Sequence, residues 1–146
     1  MKNNRKKVMI LTNHSYMLYR FRKELIEELM KNYDVVLSMP FVGHHEDFIN
    51  MGLRCIETKM ERRGVNPIHD FSLMKFYKKI LQEENSDLVI TYSIKPNVYG
   101  GLMCEKLNIP FYANVQGLGT AFQKPGLAQF ATVLYKTAFK KVKTVF

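Results

Sequence analysis

A chain of 146 residues with 22 Lys and Arg against 13 Asp and Glu carries a formal net charge of +9, and 47% of its residues are hydrophobic. Folded chains of this length bury roughly 70% of the surface that the unfolded form exposes, so one domain with a sizeable core is expected, and disorder or a disulfide-stapled miniprotein is excluded. Cys55 and Cys104 sit among apolar residues without metal-ligand spacing and read as buried free thiols of a reducing cytoplasm.

Met1 to Lys7 is basic, but the apolar run Val8 to Leu11 stops at Thr12 and Asn13, too short for a secretory h-region. The first strand is expected over Lys7 to Thr12, then a polar loop and a helix from about Tyr19 to Lys31. Its buried stripe would be Phe21, Leu25, Ile26, Leu29 and Met30, with Arg22, Glu24, Glu27, Glu28 and Lys31 toward water. A second strand over Asp34 to Met39 ends at Pro40, a short helix spans Glu46 to Met51, and a third strand covers Arg54 to Glu57.

Met60 to His69 reads as an irregular linker, with Asp70 as N-cap of a helix over Phe71 to Glu84 whose apolar positions Leu73, Phe76, Tyr77, Ile80 and Leu81 recur at helical spacing. A fourth strand follows over Asp87 to Tyr92, then a helix from Asn97 to Leu107 and a fifth strand over Phe111 to Val115. After a glycine-rich loop, the helix Leu127 to Lys141 is amphipathic, and Lys143 to Phe146 open a sixth strand. The alternation of strands and helices predicts an α/β domain, a Rossmann-like parallel sheet with helices on both faces. Residues 1–146 form this single domain, and a chain stopping within a strand is expected to be truncated before a further domain.

In an open parallel sheet, ligands bind beyond the carboxyl ends of the strands, where the strand order reverses. The candidate loops are Asn13 to Tyr16, Ser93 to Asn97 and Gln116 to Thr120. The first has no G-x-G-x-x-G, and no Walker A loop is present, so a dinucleotide or P-loop site is not supported. Imidazole as a group titrates near neutrality, and His14, in the first of these loops, could act as a base or hydrogen-bond a hydroxyl, whereas His44, His45 and His69 lie in segments away from the reversal point. Arg20 and Arg22 fall in the first turn of the expected first helix, where their charge opposes the macrodipole unless a phosphate or diphosphate offsets it. Arg62 and Arg63 could serve the same way. Gly117 and Gly119 would let backbone amides approach a ligand. No H-E-x-x-H, C-x-x-C or paired-carboxylate spacing points to a metal or a hydrolase. Six lysines and no acid follow Glu105, a cationic end suited to nucleic acid, anionic lipid or a phosphorylated substrate, or simply to solvation.

Four segments, in this order, carry a family likeness: Tyr19-Arg20-Phe21-Arg22, Arg63-Gly64-Val65-Asn66-Pro67, Lys95-Pro96-Asn97-Val98-Tyr99-Gly100 and Gln116-Gly117-Leu118-Gly119-Thr120-Ala121-Phe122. Over nearly its whole length the chain resembles the N-terminal domain of family 4 glycosyltransferases of the GT-B fold, the bacterial group that builds capsule, O-antigen and lipid-linked glycans. The resemblance implies two Rossmann-like domains, with the acceptor held by this one and the nucleotide sugar, a UDP-sugar with no metal, by a C-terminal one. It implies a retaining transferase that is inactive as this half alone. The acceptor would be a polyprenyl-diphosphate-linked sugar or a glycan, bound by His14, Arg20, Arg22, Arg63, Lys95, Asn97, Gln116, Gly117 and Gly119, with no residue singled out as catalytic. The donor-contacting histidine many relatives carry after the fifth strand is replaced here by the region of Asn114 and Gln116.

The implied location is cytoplasmic, with peripheral contact between the basic last helix and anionic lipid on the inner face of the membrane. The alternatives are a non-catalytic acceptor-binding subunit of a split transferase and a sugar-nucleotide epimerase of the same architecture. A nucleic-acid-binding module is not expected, because no helix-turn-helix, RNP or zinc pattern accompanies the charge.

Overall fold

The computed structural model describes residues 5–60, 66–115 and 144–145. Its elements are β1 (Lys7–Leu11), α1 (Ser15–Met30), β2 (Asp34–Met39), α2 (His45–Asn50), β3 (Arg54–Glu57), α3 (Pro67–Glu83), β4 (Leu88–Tyr92), a π-helical turn (Pro96–Gly100) running into α4 (Gly101–Leu107), β5 (Phe111–Asn114) and β6 (Thr144–Val145). The six strands form one sheet in the order β3-β2-β1-β4-β5-β6, all parallel. That order is the doubly wound arrangement, and its direction reverses between β1 and β4.

The sheet is buried on both faces, which explains why its central strands are nearly continuous apolar runs. Along β1, Val8 and Ile10 join one core with Leu18 and Ile26 of α1 and Phe48 of α2. Met9 and Leu11 point the other way, into a second core with Leu73, Tyr77, Ile80 and Leu81 of α3, Cys104 of α4 and Phe111 of β5. The period-2 alternation of side chains along one strand therefore supplies two cores at once. Both thiols are free, Cys104 buried and Cys55 half-buried, and burial pushes them up to about 12 and about 11 respectively.

Two helix starts differ from the sequence expectation. α1 begins at Ser15, four residues before Tyr19, because His14 caps it: the ring Nδ1 accepts from the Tyr16 N–H at 2.9 Å. α3 begins at Pro67, not Phe71, because Asn66 is its cap, accepting from the N–H groups of Ile68 and His69, and proline suits the first helical position. Asp70 is thereby placed inside the helix. The inward face of α1 also differs from the expected stripe. Ser15, Leu18 and Ile26 are buried, while Phe21 and Leu25 are exposed. Arg22, expected to face water, turns half-buried over the sheet, its guanidinium 5.9 Å from the centre of the Tyr92 ring. The helix expected over Leu127 to Lys141 lies outside the described residues.

The helix after β4 lies close against the sheet. A Cβ on Gly100 would stand 2.6 Å from Cδ1 of Leu11, so any larger residue there would force the Leu11 side chain to shift.

Candidate functional site

Because every strand is parallel, the turns that follow β1, β2 and β4 emerge at one edge, beside the end of β5. Leu11 is in register with Thr91 and Ser38, and Tyr92 with Asn114, so the turns on either side of the reversal point are neighbours.

The turn after β1 is held by its own helix cap and by the neighbouring turn after β2. Thr12 donates its N–H to Ser38 at 3.1 Å, and the His14 cap fixes the first turn of α1. Ser15, fully buried, links this turn to the one after β2: its hydroxyl donates to the Val42 carbonyl and accepts from the His44 N–H. His44 stacks on Tyr19 with ring centres 4.4 Å apart, Tyr19 meets Phe48 edge-on, and the exposed Tyr16 ring lies 5.7 Å from His14 and 5.8 Å from His44. His44 also pairs with Asp47 at 2.8 Å. The sequence placed His44 away from the reversal point. The structure brings it there, because β2 is the immediate neighbour of β1 and its turn folds over the start of α1. Arg20 lies over the Tyr16 ring at 5.2 Å. With α1 beginning at Ser15, Arg20 and Arg22 stand beyond its first turn, so neither opposes the helix N-terminus as expected.

The turn after β4 is held from inside. Lys95, 8% exposed, sends its Nζ to Asp70 Oδ1 at 2.9 Å, and the other carboxylate oxygen accepts from Tyr99 Oη at 3.0 Å. Burial together with the hydrogen bond to Asp70 holds the Tyr99 phenol protonated well above its ordinary range. Asn97, 1% exposed, accepts from Thr91 Oγ1 at 2.7 Å and donates to the Asn114 carbonyl at 2.9 Å, while Asn114 donates back to the Thr91 carbonyl at 3.3 Å. β4, β5 and the turn are thus tied into one buried polar network. Lys95 and Asn97, both expected among the substrate-binding residues, have their polar atoms engaged within the fold, the lysine charge against Asp70 and the amide against both strands.

Beside Asp70, a cavity of about 660 Å³ opens between the end of β3 and α3, with Glu57, Lys59 and His69 on its wall and Leu73 and Phe76 beneath. Arg63, Gln116, Gly117 and Gly119 lie outside the described residues, as does Arg62. Among the described residues no helix is long and apolar enough to cross a membrane.

Comparison with known proteins places this geometry. The family model described as glycosyl transferase 4-like matches residues 7–146. The chain is 27% identical over 141 residues to N,N'-diacetylbacillosaminyl-diphospho-undecaprenol alpha-1,3-N-acetylgalactosaminyltransferase of Campylobacter jejuni, covering 92% of this chain and 38% of that protein. Among solved structures it resembles MurG of Acinetobacter baumannii, with a TM-score of 0.66 and 14% identity over 96% of this chain and 40% of that one. It also resembles a putative UDP-N-acetylglucosamine 2-epimerase of Listeria monocytogenes, with a TM-score of 0.67 and 10% identity over 97% and 38% respectively. At such identities these two likenesses speak for the fold alone. The chain spans about two fifths of the length of the proteins it matches.

Proposed function

The chain belongs to the glycosyl transferase 4-like family, and on that footing we propose that it is the acceptor-side domain of a glycosyltransferase that moves a sugar from a nucleotide-sugar donor to a lipid-linked acceptor. The observation that carries this reading is the meeting of the β1 and β4 turns at the reversal point of a doubly wound sheet, the place where such folds take ligands. The family match and the lipid-diphosphate acceptor in the Campylobacter relative's name support it. In this reading the nucleotide sugar, a UDP-sugar, is held by a second domain. This one orients the acceptor hydroxyl for attack at the anomeric carbon, so its contribution is one of positioning. Transfer proceeds with retention of configuration and without a metal, on the cytoplasmic side of the membrane, where the basic segment after Glu105 favours anionic headgroups.

The test is transfer from radiolabelled UDP-N-acetylhexosamines to undecaprenyl-diphosphate-linked mono- and disaccharides by this domain together with the donor-binding domain. Label is expected in the lipid phase, with the anomeric configuration of the donor kept in the product. Conversion of the nucleotide sugar to its epimer without an acceptor would replace this reading with an epimerase, and capture of the acceptor without turnover would replace it with a binding subunit.

A further inference from the structure

Among the described residues, three that are not glycine adopt a left-handed backbone: Asn85, Asn108 and Ser93. The two asparagines follow the ends of α3 and α4, where this conformation closes a helix and where asparagine tolerates it. Ser93, at φ 77°, ends no helix. It is the first residue beyond β4, at the reversal point, and joins the strand to the helical residues Ile94 and Lys95, which run into the π-helical turn at Pro96. A serine gains nothing from this conformation that a glycine would not supply with less strain.

What holds Ser93 there is the network on either side of it. Its own carbonyl accepts from the Asn97 N–H at 2.9 Å. Upstream, Thr91 is bonded to Asn97. Downstream, Lys95 is bonded to Asp70. Gly100 lets the following helix sit against Leu11. The buried polar groups fix both ends of a three-residue span and leave Ser93 to absorb the bend. Its own side chain is half-buried at the rim, and its hydroxyl makes no hydrogen bond among the described residues.

We infer that Ser93 is a substrate contact whose strained backbone presents its hydroxyl to a hydroxyl of the acceptor sugar. The ligand chemistry follows from the neighbours. The one cation of this turn, Lys95, is neutralised by Asp70 and the Asn97 amide is spent on the strands, so the side-chain group left to offer is an uncharged hydroxyl, which suits a neutral polyol better than a diphosphate. The inference rests on the acceptor-side reading above and adds to it the residue that meets the sugar.

Two substitutions separate strain from contact. Ser93→Gly relieves the left-handed strain and removes the hydroxyl, so the thermal midpoint is expected to rise by about 2–4 °C while affinity for the sugar falls about tenfold. Ser93→Ala keeps the strain and loses the hydroxyl, so the midpoint holds and affinity falls by the same factor. Binding is read from amide chemical shifts of the protein on titration with methyl N-acetyl-α-D-glucosaminide and its galacto epimer. Shifts centred on Ser93 and Ile94, weakened in both variants, are expected. Absence of binding, shifts confined to other segments, or unchanged affinity in both variants would overturn the inference. Parallel transfer assays keep the two claims apart. Binding at Ser93 without transfer counts against the transferase reading alone. Transfer with an unaltered acceptor KM in Ser93→Ala counts against Ser93 alone.

Discussion

The turns after β1 and β4 stand side by side at the same edge and read alike in sequence, each a short polar stretch before a helix, yet they are built in opposite ways. The first is clasped by a ring nitrogen cap and by aromatic contacts that leave Tyr16 42% exposed. The second is anchored by a buried ion pair and a buried amide, with one strained serine left at the rim. Polar residues at such an edge are therefore of two kinds, those left open at the surface and those spent on holding the backbone. Sequence alone does not sort them.

The largest expected effect comes from breaking the anchored turn. Lys95→Met leaves Asp70 buried without its cation, and loss of one partner of such a pair costs about 3–5 kcal/mol. Urea denaturation should show it, and Asp70→Asn in the same background should recover part of the loss. A loss below about 1 kcal/mol would mean that the pair does not hold the turn. The clasped turn should respond far less: His14→Ala removes a single cap and is expected to cost about 0.5–1 kcal/mol by the same measurement, with His14→Asn close to neutral.

An effect of similar size, but dependent on pH, gives a baseline from the opposite edge of the sheet. There Glu84, partly desolvated yet bonded to Lys7 at 3.1 Å and to Arg54, has its carboxyl held below the usual range. A depressed carboxylate contributes stability that is fully present near neutrality and fades as pH falls through its folded-state pKa. Glu84→Gln should therefore lose about 0.5–1 kcal/mol at pH 7, since Arg54 is largely exposed and screened, and progressively less as the solution is acidified. A deficit that does not shrink on acidification would contradict this account.

Strand positions were legible because buried parallel strands leave short apolar runs, and all six lie where the sequence placed them to within a residue or two. The start of α1 was hidden, because a histidine is an unusual cap and Tyr16 and Met17 give an exposed first turn no amphipathic signature. At α3 the sequence does carry the signal: Asn66 followed by Pro67 is a stronger start than Asp70, whose carboxylate has another use. The site was legible only as a set of loops. The partner of Lys95 lies 25 residues earlier in the chain and that of Asn97 17 residues later, and no local pattern joins them. Likewise φ at Ser93 has no sequence signature, because glycine or asparagine is what such a bend ordinarily leads one to expect.

β1 lies at the middle of the sheet, bonded on one side to β2 and on the other to β4, and its first residue donates its N–H to Asp87, 80 positions along the chain, at 2.8 Å. The β1–α1–β2 unit can close over a short stretch, but the second seam must wait until α3 has carried the chain back across the sheet. Ring closures of that length make refolding slow relative to a helical bundle of equal size. Until the seam forms, one side of the central strand keeps an open row of backbone groups, and during that interval the chain is most vulnerable to pairing with a neighbour.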